Sequence, residues 1–203
     1  NEVDINREKR KAIEHIKGEI AEKRIYAKNR LISEMYKDEP YGLSKCGTIE
    51  QVSNITGDEL YSAWEKCLSS AYITVQVVGS AIPQGLFDDI SQRFSGLSRK
   101  DITDCKCTMP TIECSEVNTV TEEMAVNQGK LVMGFRTGKT IEDGNFYIAQ
   151  LFNEIFGGSP VSKLFVNVRE KKSLCYTCRS FVTQSSGIMY ATAGIEVSNK
   201  QVA

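Results

Sequence analysis

The sequence has very little histidine, no long apolar run and almost no net charge. His15 is the only histidine, so the chain by itself cannot form a metal site with two histidine ligands. The longest apolar runs, such as residues 72–78, are much shorter than the roughly 20 residues of a membrane span. The net charge of −1 argues against nucleic acid or an anionic membrane as the main partner.

Cysteine is more frequent, with seven residues that include two close pairs, Cys105–Cys107 and Cys175–Cys178. A structural zinc site needs four tetrahedral ligands, and residues three apart on a regular strand point to opposite faces. We therefore expect reduced thiols and a cytoplasmic protein rather than a zinc knuckle. The sequence opens at Asn1 without methionine or a signal peptide, and we expect a fragment of a longer protein.

Helical periodicity dominates the first part of the chain. Residues 7–36 predict one long helix or two stacked helices, which Pro40 and Gly42 end. Thr48 with Gln51, and then Thr56 with Glu59, form two capping boxes that predict two short helices. The single tryptophan, Trp64, is expected to anchor a core.

The remaining elements predict an α+β fold with antiparallel sheets backed by helices. Residues 71–79 are β-branched and aromatic and predict a buried strand, which a helix over residues 83–94 follows. We expect a partial domain over residues 1–98, a linker over 99–120 and a second partial domain over 121–203. In the second domain the pattern predicts a strand at 129–138, helices at 146–156 and 160–172, and strands at 175–184 and 188–197.

The segment from Gly157 to Tyr176 is the most informative part of the chain. It places Arg169 and Tyr176 seven residues apart, on either side of a change from helix to strand. Arginine has a planar fork of charged donors, and tyrosine has one hydroxyl donor. Together the two side chains suit the binding of a peptide carbonyl. The alternatives are an ion pair of Arg169 with Glu170 or Glu154, and a core position for Tyr176.

Two blocks of sequence resemble the pitrilysin/insulinase family of zinc peptidases, which includes the processing peptidases. The resemblance extends over nearly the whole chain and is strongest to bacterial members regarded as non-catalytic "inactive domain" homologues. The first block comprises Pro40-Tyr41-Gly42, Gly47-Thr48-Ile49-Glu50, Ile55-Thr56, Glu59-Leu60 and Val77-Val78-Gly79. The second comprises Gln128-Gly129-Lys130-Leu131, Gly157-Gly158, Ser162-Lys163-Leu164-Phe165, Val168-Arg169-Glu170-Lys171 and Leu174-Cys175-Tyr176.

The resemblance implies a metallopeptidase fold of two consecutive α+β domains, of which this chain would hold the last part of one and the first part of the next. In active members, a His-x-x-Glu-His helix and a downstream glutamate hold zinc, and the glutamate of the motif activates water. A sister domain, often in another subunit, contributes an arginine and a tyrosine. By this resemblance Arg169 and Tyr176 are the catalytic candidates, as contacts to the oxyanion and the substrate.

The sequence departs from the active pattern at the metal ligands. The His-x-x-Glu-His motif is absent, and Asn6 lies where the zinc-binding glutamate belongs, with Glu8 or Glu14 as the alternative equivalent. An amide oxygen is a poor zinc ligand beside a carboxylate. We therefore expect no metal ligand or cofactor in this chain, and zinc in a homologous partner subunit of a heterodimer that hydrolyses peptides.

Other interpretations of the same residues stay open. The chain is alternatively a structural or peptide-binding module of this fold, or part of an active zinc peptidase whose motif precedes residue 1. His15 and Glu19 lie one helical turn apart, and we interpret them as a solvated pair because no further metal ligand is evident near them in the sequence. Exposed sheet edges and apolar surface also predict self-association of the chain in isolation.

Overall fold

The computed structural model describes residues 2–102, 113–114 and 116–196. The chain divides into two compact units. Unit 1 consists of Asn1–Lys11 and Ile49–Cys107, and unit 2 of Ala12–Thr48 and Thr108–Ala203. The predicted division into 1–98, 99–120 and 121–203 stays a prediction. Residues 103–112 and 115 of the predicted linker, and with them the Cys105–Cys107 pair, lie outside the described residues.

The first part of the chain forms two helices rather than one long helix. Helix α1 spans Glu2–Ala21 and α2 spans Lys23–Met35. Glu22 separates them and caps α2, since its side chain accepts a hydrogen bond from Arg24 N at 3.2 Å. A short 3₁₀ turn, Pro40–Gly42, follows at the predicted helix stop.

Three further helices belong to unit 1: α3 (Ile49–Asn54), α4 (Gly57–Ser70) and α5 (Leu86–Ser95). The capping box predicted at the start of α4 is confirmed. Thr56 Oγ1 accepts from Glu59 N at 3.2 Å, and the Glu59 carboxylate accepts from Thr56 N at 2.8 Å. Hydrogen bonds that Thr56 N and the Thr56 hydroxyl donate to the Glu59 carboxylate lower the pKa of Glu59. The helix expected over residues 83–94 is also present as α5, which begins three residues later and ends one residue later than expected.

Two predictions in unit 1 are wrong. Residues 71–79 form no strand, and Val78 is 97% exposed. A strand requires a neighbouring strand for its hydrogen bonds, and the described residues of unit 1 contain none. Trp64 is 55% exposed and packs against the ring of Tyr61, with the ring centroids 5.6 Å apart. It does not anchor a core among the described residues.

Unit 2 contains an antiparallel three-stranded sheet in the order β1–β3–β2. The strands are β1 (Gly129–Arg136), β2 (Cys175–Val182) and β3 (Ile188–Ile195). All three strands were predicted, and each predicted strand extends two residues beyond the observed C-terminal end. The central strand β3 buries Ile188, Met189, Ala191 and Ile195. Helix α2 packs against β1.

The helices between β1 and β2 have wide turns. Helix α6 (Phe146–Asn153) continues into a first π segment, Glu154–Gly158. The helix predicted to begin at Pro160 starts later, because residues 159–162 form a turn, and a second π segment spans Phe165–Lys171. Helices and an antiparallel sheet together confirm the predicted α+β class. None of the described helices combines the length and the apolarity that a membrane crossing requires.

Candidate functional site

Arg169 lies in the second π segment, which packs against β2. The segment ends in a tight turn, where Ser173 N donates to Arg169 O at 3.1 Å and Leu174 N donates to Val168 O at 3.1 Å. Ser173 has a φ of 51°, a left-handed conformation that redirects the chain into β2. Wide π turns are rare in helices and occur frequently at functional sites.

The guanidinium of Arg169 is held from one side by an aromatic ring. It lies over the ring of Phe165, with 4.4 Å between its central carbon and the ring centroid. Its Nε is 3.8 Å from Glu170 Oε1, so the ion pair considered from the sequence is present but exposed. An ion pair of this kind contributes roughly 0–1 kcal/mol. The side chain is 39% exposed, which leaves the arginine accessible to a ligand.

Tyr176 protrudes from an irregularity in β2. Cys175 pairs with Ile195 and Thr177 pairs with Gly194, so Tyr176 is one extra residue opposite β3. Such a β-bulge changes the direction of side chains and is common next to active sites. Tyr176 is 74% exposed, and a core position for this tyrosine is therefore wrong.

The same bulge places Cys175 and Cys178 on one face of β2. Both side chains are buried in a cluster with Ile195, although a regular strand would have pointed them to opposite faces. Burial, and to a smaller extent the neighbouring Cys175, raises the pKa of Cys178 to about 11. The pair is therefore part of the core that supports Tyr176.

A buried polar contact connects the end of α6, just before the first π segment, to β2. Ser180 Oγ donates to Asn153 Oδ1 at 2.7 Å, and both side chains are buried. Gly157 lies so close to Ser180 that an added Cβ would come within 2.8 Å of Ser180 N. Its close approach to β2 depends on tertiary packing.

The residues that align with the catalytic zinc ligands do not fit that metal. Asn6 and Glu8 lie on α1, and the Glu8 carboxylate accepts from Lys11 Nζ at 2.9 Å and from Arg7 Nε at 3.2 Å. These two hydrogen bonds lower the pKa of Glu8. The chain also has one imidazole in total. We derive no catalytic step through a metal held by these residues.

The structure brings one unexpected residue to the predicted His15–Glu19 pair. His15 Nε2 lies 3.7 Å from Glu19 Oε1, as one helical turn on α1 requires. Cys46, from the loop after the 3₁₀ turn, adds a thiol to this pair. The two parts are 27 residues apart in sequence, and no local pattern connects them.

Comparison with known proteins places these features in a family context. Residues 54–203 match the model of the family described as "Peptidase M16 inactive domain". The chain is 34% identical over 201 residues to the probable inactive metalloprotease YmfF of Bacillus subtilis, covering 96% of this chain and 45% of YmfF. It is 26% identical over 170 residues to the uncharacterized zinc protease YmxG of the same organism, covering 82% of this chain and 40% of YmxG.

A solved structure shares the fold. The peptidase M16 inactive domain from Pseudomonas fluorescens superimposes with a TM-score of 0.72 at 17% identity, over 99% of this chain and 48% of that chain. The chain thus spans less than half the length of each of these three proteins.

Proposed function

Because the chain belongs to the peptidase M16 inactive domain family, we propose that it is part of a subunit without catalytic zinc that completes the active site of a zinc-bearing homologue. In this proposal the partner holds the zinc and activates the water. Arg169 and Tyr176 contact the peptide carbonyl at the scissile bond. The protein would act in the cytoplasm, where its cysteines stay reduced, as part of a heterodimer.

The accessibility of the Arg169 and Tyr176 side chains is the observation that carries this proposal. The bulge moves Tyr176 out of the buried face of β2, and the adjacent π segment leaves Arg169 partly exposed above Phe165. The two elements pack against each other, so both donors are supported by the same core. Charged and hydroxyl donors on rigid elements are suited to a carbonyl oxygen that gains negative charge.

The chemistry assigned to this chain is electrostatic. When water attacks the peptide carbon, negative charge develops on the former carbonyl oxygen, and hydrogen bonds from the guanidinium and the phenol stabilise it. A preorganised donor of this kind contributes about 3 kcal/mol to the transition state. The occurrence in one organism of a relative named inactive and a relative named zinc protease supports the pairing.

Co-expression provides the test. The full-length protein is produced with a zinc-bearing homologue from the same genome, and cleavage of unstructured peptides is measured. Arg169→Ala and Tyr176→Phe should each lower kcat about 10²–10³-fold because a donor to the transition state is lost. Matched control variants are Arg93→Ala and Tyr147→Phe, which remove equivalent groups from exposed positions on other elements.

The outcomes separate the remaining interpretations. Unchanged rates for both Arg169→Ala and Tyr176→Phe contradict the catalytic role. Unchanged rates combined with binding of the peptide favour the alternative of a structural or peptide-binding module. The position of β2 as an outer strand of the sheet in the described residues supports that alternative, because an extended peptide can add to a sheet edge. Zinc bound by the full-length protein through a His-x-x-Glu-His motif before residue 1 would instead favour an active peptidase.

A further inference from the structure

His15, Glu19 and Cys46 form a cluster of three different ligand types in unit 2. Each residue offers one ligand atom, and these atoms lie within 4.8 Å of one another. The two helical residues are fixed by the spacing of α1, and the third arrives from the loop that follows Pro40–Gly42. The cluster does not involve Arg169 or Tyr176, and it is independent of the proposed peptidase role.

A local turn holds the thiol in position. Cys46 N donates to Ser44 Oγ at 3.3 Å, and Gly47 N donates to Ser44 O at 3.2 Å. Gly47 has a φ of 67°, which a glycine adopts without strain. The turn therefore presents Cys46 toward α1 from a defined backbone.

The donor set selects the class of metal. Magnesium and calcium prefer sites made of oxygen ligands, whereas an imidazole nitrogen with a thiolate sulfur suits zinc and related borderline-soft ions. Zinc–nitrogen bonds of about 2.0–2.1 Å and zinc–sulfur bonds of about 2.3 Å place tetrahedral ligand atoms about 3.3–3.7 Å apart. The His15–Glu19 distance of 3.7 Å already falls in this range. The other separations, all within 4.8 Å, need to close by about 1 Å at most, and rotation of His15, whose side chain is 64% exposed, can supply this movement.

We propose that His15, Glu19 and Cys46 bind a divalent zinc-class ion, with water as the fourth ligand. Three protein ligands and a water at an accessible position are typical of an open site. The bound ion would connect the loop around Cys46 to α1. The thiol must lose its proton on binding, so affinity should increase with pH.

The single histidine makes the test specific to this site. Zinc chloride is titrated into the untagged chain of 203 residues under reducing conditions, and the imidazole signals are followed by NMR. Every such signal comes from His15. We expect the signals to shift and to saturate near one equivalent. Cys46→Ser and Glu19→Gln should each weaken the apparent affinity at least about tenfold, because each removes a ligand.

Control variants and a second metal complete the design. Cys67→Ser and Glu65→Gln remove an exposed thiol and an exposed carboxylate outside the cluster and should leave the titration unchanged. With Co²⁺, the thiolate-to-metal charge-transfer band should be lost in Cys46→Ser and retained in Cys67→Ser. Imidazole signals that do not move, or that move equally in Cys46→Ser, overturn the proposal. A thiolate band without an imidazole shift also overturns it, since the metal is then on other cysteines.

Discussion

Cys175 and Cys178 share the buried face of β2, because the extra residue at Tyr176 shifts the alternation of the strand by one position. The two thiols pack with Ile195, and the Cys175 side chain interacts directly with the Cys178 thiol. The bulge that buries Cys178 therefore also leaves Tyr176 exposed on the opposite face of β2. The core and the candidate site depend on the same bulge.

The first prediction concerns stability at alkaline pH. Burial, and then Cys175, raise the pKa of Cys178 from the ordinary value of 9.0 to about 11. A thiol with a raised pKa in the folded state keeps its full contribution below the unfolded value and loses it as pH rises through the folded value. We expect the free energy of unfolding, measured by urea denaturation, to fall between about pH 9 and pH 11.

Matched alanine variants isolate this effect from other alkaline titrations. Cys178→Ala should be less stable at neutral pH because it leaves a small cavity, but its stability should fall less steeply above pH 9. Cys67→Ala changes an exposed thiol and should keep the slope of the unmodified chain. Equal slopes in all three proteins would show that Cys178 does not carry the dependence.

Local patterns predicted most of unit 2 and the start of α4, and failed where a distant segment decides the structure. Thr56 and Glu59 lie within four residues of each other, so their capping box was visible in the sequence. The bulge at Tyr176 depends on the register against β3, which no local pattern reveals. Residues 71–79 have strand composition, yet composition alone supplies no pairing partner. Cys46 was missed as a neighbour of His15 for the same reason.

The second prediction concerns the contact of Gly157 with β2. An added Cβ would lie 2.6 Å from Ser180 Oγ and 2.8 Å from Ser180 N, and the backbone nitrogen cannot move without disturbing the strand. Gly157→Ala should lower the free energy of unfolding by about 1–3 kcal/mol, the range typical of overpacking. The same change at Gly18 in α1, where an added Cβ would meet no atom within 4 Å outside its own helix backbone and chain neighbours, should raise it by about 0.5–1 kcal/mol.

Thermal unfolding tests whether the two alanine variants change stability in opposite directions. A stabilising effect of Gly157→Ala would contradict the close packing against Ser180. The candidate site should be affected together with stability, because the first π segment and β2 are in contact. Near-UV circular dichroism and the peptide-cleavage assay then report whether the damage extends to Tyr176.

The third prediction concerns Arg136, at the end of β1. Its guanidinium lies 4.4 Å from the ring centroid of Tyr36, its Nη1 is 3.5 Å from Glu39 Oε1, and it donates to Met35 O and, at 3.1 Å, to Glu113 O. The side chain is largely buried. Arg136→Gln leaves these acceptors without a charged donor and should lower the free energy of unfolding by about 2–4 kcal/mol.

A lysine at this position tests the need for the planar fork. Arg136→Lys keeps the charge but can neither bond several acceptors in one plane nor stack on Tyr36 in the same way, so it should recover less than half of the loss. Arg179→Gln makes the equivalent change at an exposed position on β2 and should shift stability by less than about 0.5 kcal/mol. Full recovery by lysine would reduce the role of Arg136 to its charge.

The last prediction concerns association of the chain. Helix α6 and the first π segment expose a group of large apolar side chains, each more than half exposed: Tyr147, Ile148, Leu151, Phe152 and Ile155. Apolar residues concentrated on one short stretch favour association. We expect concentration-dependent self-association of the isolated chain in sedimentation velocity. Leu151→Glu should shift it toward the monomer, because a charge in an apolar contact costs desolvation energy. Val78→Glu alters an even more exposed apolar residue in unit 1 and should leave the association unchanged. A chain that stays monomeric at all concentrations, or an equal effect of both glutamates, would contradict a role for α6 in the contact.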